Sequence, residues 1–160
     1  MQYTQQSLFD DFQSEIVPFI LISLREDVHL KILKNQKKYE YRRSFIKTPS
    51  KVFIYVTGKV KAICAYAEFG KPIIGEIEYM KTINSQEKNP NPNGIAKYFE
   101  NKKECFAIPI EKYNLINNIS LEQLRIEFGE FFPPQSYIFL DKKPELYNYL
   151  IQMSGIKNIK

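Results

Sequence analysis

Lys37, Glu40 and Arg42 are the residues of this 160-residue chain whose types and spacing best suit chemistry. Two cations close to a carboxylate would keep it ionised and would still leave N–H donors for an outside anion. A carboxylate beside a lysine can also act as an acid–base pair for hydrolysis, if one pKa is shifted towards neutrality. The same string fits an ion-paired surface strand, so its surroundings must decide between these roles.

Positive charge is concentrated around these three residues. Between positions 31 and 43 the chain has six basic residues and one acidic residue, Glu40, and this excess of five equals the net charge of the whole chain. Lys38 and Arg43 belong to this cluster. A local group of cations favours an anionic partner, and nucleic acid is the usual one.

An apolar strand and a helix precede the cluster. The continuous apolar run Phe19–Leu24 predicts a strand that is buried on both faces. Ser23 provides a plausible cap for a helix that runs from Val28 to Leu33, in which His29 is more typical of a satisfied side chain than of a catalyst. The dipeptide Asn35-Gln36 then predicts a turn.

Residues 38–43 are predicted to form a strand, whose period of two sorts the side chains between its faces. One face has Lys38, Glu40 and Arg42, and the other has Tyr39, Tyr41 and Arg43. Lys37 has the parity of the tyrosines, so it can join Glu40 only from the turn or from a bulge. Convergence of Lys37, Glu40 and Arg42 therefore requires a turn that folds back.

Several short strands and few long helices favour a small barrel over a βαβ sheet. Further strands are predicted at residues 51–57, 60–69, 73–80, 105–110 and 137–140. Residues 84–93 are polar, contain two prolines and predict an exposed, mobile loop. Helices are predicted at residues 8–16 and 95–103, after a capping box at Ser120–Gln123, and from Pro144 to Gly155.

Length and composition predict one domain over residues 1–160 in a reducing cytoplasm. Cys64 and Cys105 lie in apolar surroundings without CxxC spacing, which indicates buried free thiols. The polar start predicts no signal peptide, and the apolar runs are too short to span a membrane. With a single histidine, a structural zinc site is not expected, and we expect neither a metal nor a cofactor.

The order of apolar strand, short helix, residues 35–42 and the strand Val52–Thr57 resembles the ASCH domain, a member of the PUA-like superfamily. The signature of that family is GxKxxExR directly after its first helix, and Lys37, Glu40 and Arg42 occupy the signature positions. Asn35 replaces the usual glycine, an exchange that a left-handed turn tolerates. Later segments similar to bacterial ASCH-like proteins are Val60–Ile63, Tyr98-Phe99, Cys105–Ile108 and Pro134–Tyr137. The resemblance covers residues 19–140, with both terminal helices as extensions.

This resemblance implies an α+β fold, a PUA-like small mixed or antiparallel β-barrel of five or six strands flanked by short helices. It implies an RNA- or nucleotide-binding module with a regulatory role and a cleft built on the signature. In such a cleft the cations contact phosphates, Glu40 accepts from a base or ribose, tyrosines stack on bases, and polar side chains read a base edge. The residues proposed for these roles are Lys37, Lys38, Tyr39, Glu40, Arg42, Arg43, Tyr55, Gln135, Ser136 and Tyr137.

Two other functions stay open. The resemblance also allows a small hydrolase that acts on acylated nucleosides or RNA, with Lys37 as activator, Glu40 as acid–base, and Thr57 or Ser23 polarising the substrate. A protein-interaction module would place the basic strand against an acidic partner, but would leave the motif's context unexplained. The absence of tryptophan argues against the methylated-base cage of the related YTH domains, although Tyr and Phe can still stack a base.

Overall fold

The structure, a computed structural model, describes residues 16–157. The helix predicted for residues 8–16 lies outside this range except for Ile16, which is exposed. No helix of the described residues is long and apolar enough to cross a membrane.

Seven strands form one mixed sheet in the described part of the chain. Six of them lie side by side in the order β2-β6-β4-β3-β1-β7, and β5 pairs with β6 off this path. Every pairing is antiparallel except that of β1 with β3. The strands are β1 Phe19–Leu24, β2 Tyr39–Arg42, β3 Ser50–Val56, β4 Ala62–Phe69, β5 Ile73–Gly75, β6 Cys105–Ser120 and β7 Tyr137–Phe139. The sheet curls into a half-barrel with helices around it, which confirms the predicted α+β class.

The long strand β6 joins the two parts of the sheet. It is 16 residues long, pairs with β4 from Ile110 to Ser120, and pairs with β2 and β5 through its first residues, Cys105 to Pro109. Register shifts in the β4–β6 pairing interrupt the ladder on both sides of Ala65–Glu68, and such irregularities bend a sheet. As a result β2 lies at one edge of the sheet, where its open side is free to border a cavity.

Four α-helices lie between strands of the described chain, and a 3₁₀ turn and a fifth α-helix follow β7. Ser120 and Gln123 form the predicted capping box, in which the Ser120 hydroxyl accepts from the Gln123 amide. Gly155 ends the last helix in a left-handed conformation, as its position predicted. The helices are α1 Glu26–Leu33, α2 Ile77–Asn84, α3 Pro92–Tyr98, α4 Leu121–Phe128 and α5 Pro144–Ser154, with the 3₁₀ turn at Leu140–Lys142.

Three local predictions were wrong. The strand predicted for residues 73–80 ends at Gly75, and α2 begins at Ile77, because Met80 and Ile83 pack in one apolar cluster at helical spacing. Strand β6 continues well past Ile110, since β4 satisfies the backbone of its polar half. Ser23 does not cap α1; its hydroxyl donates to the Pro134 carbonyl over 2.6 Å.

Buried side chains fill both faces of the sheet and the space under α2 and α3. Strand β1 is buried on both faces as predicted, with Ile20 and Ile22 in one cluster and Leu21 in another that includes α4 and α5. Both cysteines are buried and free. A third cluster fixes α2 and α3 against β2 and β6, and its buried members are Tyr41, Met80, Ile83, Ile95, Phe99, Cys105 and Ala107.

The turn after α1 depends on a left-handed residue. Asn35 has φ of +56°, and its N–H donates to the Ile32 carbonyl over 3.0 Å. The next N–H, that of Gln36, donates to the Lys31 carbonyl over 2.9 Å. Asn35 thus adopts a left-handed backbone, which asparagine tolerates better than other non-glycine residues, as predicted.

We expect Asn35→Val to lower the free energy of unfolding by about 1–2 kcal/mol, because a β-branched residue is strained in the left-handed region. Asn35→Gly should change it by less than about 0.5 kcal/mol, since relief of strain offsets the entropy that glycine loses. Urea unfolding measures both values. Lys34→Val, at the neighbouring position with φ of −86°, is the matched control. Equal losses at both positions would contradict the role of the left-handed turn.

Candidate functional site

A cavity of about 300 Å³ lies at the open edge of β2, a volume at the lower end of the range for small-ligand sites. We call it the Glu40 cavity. Its walls come from the start of α1, the turn after α1, β2, the loop between α2 and α3, and α3 itself. Its charged lining residues are Arg25, Lys31, Lys37, Glu40 and Glu87. The uncharged polar ones are Gln36, Asn84, Asn89 and Asn91, and the remainder are Val28, Tyr41, Gly94, Ile95 and Tyr98.

Lys37 and Glu40 both line this cavity, although they have opposite parity. Lys37 leaves the turn with its ammonium 4.8 Å from the ring centroid of Tyr41, a cation–π arrangement. Tyr41 lies on the strand face opposite to Glu40, as the alternation predicted. The turn therefore brings the lysine to the cavity over the tyrosine, and not directly over the carboxylate.

Glu40 is buried, with 8% of its surface exposed. Its Oε1 lies 3.7 Å from Arg42 Nε, which is an ion-pair distance but too long for a good hydrogen bond. Its Oε2 is buried without a hydrogen-bond partner among the described residues. A buried, unsatisfied carboxylate oxygen costs stability, and such exceptions concentrate at functional sites. The arrangement provides a strong acceptor that the fold itself does not use.

Arg42 lies behind Glu40 and outside the residues that line the cavity. Its Nη2 donates to the Ser23 carbonyl over 3.0 Å, which ties β2 to β1. Only 14% of its side chain is exposed. This geometry gives Arg42 a positioning role beside Glu40, whereas the sequence analysis expected it to contact a phosphate.

Glu87 is the main residue of the site that the sequence analysis missed. Its Oε1 accepts from the backbone N–H groups of Lys38 and Tyr39 over 2.9 and 3.1 Å. Its Oε2 accepts from the Tyr41 hydroxyl over 3.3 Å and from Asn84 Nδ2 over 3.0 Å. The loop predicted to be exposed thus closes the cavity against β2. Burial chiefly, and the charge of Glu87 next, raise the pKa of the Tyr41 phenol.

Tyr98 is the second missed residue, because its position in a short amphipathic helix suggested packing only. It lines the cavity with 42% of its surface exposed, and its ring meets that of Phe99 edge to face, with the ring centroids 4.8 Å apart. Burial chiefly raises the pKa of its phenol; the Arg42 guanidinium opposes this rise, and the Glu40 carboxylate adds to it. A half-exposed ring in a polar cavity can stack on a base.

Lys38 and Arg43, two other cations of the cluster, do not line the Glu40 cavity. Lys38 is exposed and lines a neighbouring cavity together with Lys37. Arg43 donates through Nη1 to the carbonyls of Tyr98 and Glu100, over 2.7 and 3.2 Å. Arg43 therefore holds the end of α3 against β2.

Several residues with predicted site roles lie away from the Glu40 cavity. Tyr39 is partly buried against the third cluster, and Thr57 is partly buried in the turn after β3. Tyr55 is 2% exposed within the apolar cluster that includes α4 and α5, so it is a core residue and its ring is not available for stacking. Tyr137 is partly buried and packs edge to face on Phe45 and Phe139.

Gln135 and Ser136 are exposed just before β7 and do not line the cavity. The adjoining Pro134 carbonyl accepts from the Ser23 hydroxyl, and the Ser23 carbonyl accepts from Arg42. The segment before β7 is therefore linked to Arg42 through Ser23 of β1.

His29 makes a structural contact within the fold. It is buried, and its Nδ1 lies 2.6 Å from the Tyr113 hydroxyl, a hydrogen bond between α1 and β6. Burial lowers the pKa of His29, and the charge of Glu26 opposes this change. Among residues 16–157 no group of three or more His, Cys, Asp or Glu side chains could hold a metal ion.

Comparison with known proteins identifies relatives over most of the chain. It is 27% identical over 126 residues to the "ASCH domain-containing ribonuclease" of Zymomonas mobilis subsp. mobilis, an alignment that covers 77% of this chain and 84% of that protein. Its fold is similar to that of the crystal structure of ASCH from Zymomonas mobilis, with a TM-score of 0.69 and 24% identity over 82% of this chain and 94% of that one. A mutant form of that protein is similar to the same degree, with a TM-score of 0.69 and 23% identity over 82% and 97% of the two chains. No family model matches the sequence.

We expect Glu87→Ala to lower the free energy of unfolding by about 2 kcal/mol, because charge-assisted hydrogen bonds to β2 are lost. Glu87→Gln should lose less, since its one amide oxygen can still accept from the two backbone N–H groups. Urea unfolding measures stability, and limited proteolysis reports whether the chain becomes cleavable between residues 85 and 91. Glu130→Ala, an exposed carboxylate elsewhere, is the control. Unchanged stability in Glu87→Ala would show that these bonds do not hold the loop.

Proposed function

We propose that this chain is an ASCH domain protein that binds RNA or a nucleotide in the Glu40 cavity. The observation that carries this proposal is the buried Glu40 carboxylate, one oxygen of which has no partner among the described residues, in a cavity that also contains Lys37. The amino and imino groups of bases and the 2′-hydroxyl of ribose are donors that a carboxylate accepts. The curated relative that is named a ribonuclease supports RNA as the ligand.

The charge of the cavity also supports a phosphorylated ligand. Arg25, Lys31 and Lys37 line it, against the carboxylates of Glu40 and Glu87. Glu87 already accepts from four donors of the protein, so its charge is largely committed to the fold. Arg25 is paired with Asp27 over 3.1 Å. Lys31 and Lys37 thus remain to contact phosphate oxygens, which provide affinity and position without reading sequence.

Tyr98 and the amides provide the means to recognise a base. The half-exposed ring of Tyr98 offers a stacking surface at the same cavity as Glu40. Gln36 and Asn89 also line the cavity, and their amide groups can both donate to and accept from a base edge. In this arrangement Glu40 selects a ligand by its donors, while Tyr98 holds the plane of the base.

We expect single-stranded RNA to bind with an affinity that falls as salt increases, because phosphate contacts release counterions. Lys37→Ala should weaken binding and reduce the slope of log affinity against log salt by about 0.7. Fluorescence anisotropy with labelled single-stranded and duplex RNA measures both quantities. Lys59→Ala, in the exposed turn after β3, is the matched control and should bind as the wild type does. Absence of binding even at low ionic strength would rule out the proposal.

Hydrolysis is the second candidate function, favoured by a lysine and a carboxylate in one cavity and by the ribonuclease relative. In RNA cleavage Glu40 would accept the proton of a ribose 2′-hydroxyl as its oxygen attacks the adjacent phosphorus. The bond from phosphorus to the 5′-oxygen would break, and the Lys37 ammonium would give that oxygen a proton. The products would be a 2′,3′-cyclic phosphate and a 5′-hydroxyl. For an acylated nucleoside Glu40 would take a proton from water as its oxygen attacks the acyl carbon. The bond from that carbon to the nucleoside would break, Lys37 would give the leaving atom a proton, and the products would be a carboxylic acid and the free nucleoside.

We expect cleavage, if this second function holds, to be lost in both Lys37→Ala and Glu40→Gln, since each variant lacks one partner of the acid–base pair. End-labelled RNA on a denaturing gel shows cleavage and the type of end, and incubation with acylated cytidines tests the other substrate class. Lys59→Ala again serves as the control. Turnover that persists in Lys37→Ala would remove this lysine from the mechanism.

A further inference from the structure

We propose that the ligand is an oligonucleotide, and that the nucleotide next to the one in the Glu40 cavity binds a second cavity on the other side of Lys37. This inference rests on the proposed function and deepens it, since it decides between an RNA strand and a single nucleotide. The second cavity has a volume of about 260 Å³, and Lys37, Lys38, Lys112 and Glu111 are its charged lining residues. We call it the Lys112 cavity.

Lys37 connects the two cavities, because it lines both of them. Its ammonium lies over the ring of Tyr41, which lines the Glu40 cavity, and Asn35 and Lys38 line the second cavity with it. A ligand that extends beyond the Glu40 cavity past this lysine therefore enters the Lys112 cavity. A phosphate that joins two nucleotides would sit next to Lys37 at this passage.

The pairing of β2 with β6 explains why lysines from two strands meet here. The Ile110 N–H donates to the Lys38 carbonyl over 2.9 Å, which extends the ladder one step beyond the Tyr39–Pro109 pair. Lys112 has the same parity as Ile110 and lies two residues further along β6. Two exposed lysines that are distant in sequence are thereby placed at the mouth of one cavity.

The charge balance of the Lys112 cavity favours an anion. Three lysines face the single carboxylate of Glu111, and like charges held close together repel unless a counter-ion joins them. Lys112 also lines a third cavity together with Glu68, so a change at Lys112 could affect either cavity. Lys38 lines the Lys112 cavity but not the third one, and therefore provides an independent test. Ile32 and Ile110 give the Lys112 cavity an apolar wall, against which a ribose or base can pack. A mononucleotide in the Glu40 cavity would leave this second group of cations without a partner.

The test compares ligands of increasing length against variants of the second cavity only. Nucleoside 5′-monophosphates and unlabelled RNAs of two, three and six nucleotides compete with a labelled hexanucleotide in fluorescence anisotropy. We expect affinity to increase by about tenfold or more from one nucleotide to three, because additional phosphates are contacted. Lys112→Ala and Lys38→Ala should each weaken the hexanucleotide and reduce its salt slope by about 0.7, and should leave mononucleotide affinity unchanged.

Lys59→Ala is the matched control, because Lys59 is exposed and lies at the opposite end of β4 from the Lys112 cavity. The start of β4, which follows the turn of Lys59, pairs with Ser120, whereas Ile110 of the Lys112 cavity pairs with the other end of β4. Lys37→Ala should weaken both ligand classes, because this residue lines both cavities. Equal affinity for one and six nucleotides, with no effect of Lys112→Ala or Lys38→Ala, would overturn this inference and leave the proposed function standing. Failure of every ligand to bind at low salt would overturn both.

Discussion

The burial of the Glu40 carboxylate is the constraint around which this end of the molecule is organised. A carboxylate with 8% of its surface exposed needs a partner of opposite charge, and Arg42 provides it from the same face of β2. The guanidinium in turn donates to the Ser23 carbonyl of β1. The residue that pairs with Glu40 thus also links the edge strand β2 to β1, which is not its neighbour in the sheet.

The carboxylates of Glu87 and Glu40, which both lie at β2, differ in how many protein donors they bind. Glu87 has both oxygens engaged by four donors, two from the backbone and two from side chains. Glu40 has one oxygen at ion-pair distance from a cation and another without a partner among the described residues. A satisfied network adds rigidity, whereas an unsatisfied acceptor costs stability and is retained where a ligand can compensate it. The Glu87 carboxylate therefore holds one wall of the cavity in which the Glu40 carboxylate has an unpartnered oxygen.

Much of the fold could be predicted because its elements depend on short-range rules. Alternation and apolar runs located β1 and β3, the capping box located the start of α4, and Gly155 located the end of α5. The errors have a common cause. The alternating residues before Met80 suggested a strand, but packing under β2 selected a helix, and the polar half of β6 became a strand because β4 was there to pair with it.

The sequence by itself determined the local features of the site: the motif of Lys37, Glu40 and Arg42, the excess of positive charge, and the left-handed turn at Asn35. These features involve neighbouring residues, whose geometry follows from backbone sterics and the period of a strand. Only the tertiary structure decided that Arg42 stays behind Glu40 and that Glu87 closes the cavity from 46 to 49 residues away. Contacts at that separation depend on how α2, α3 and β6 pack, and short-range patterns contain no information about them.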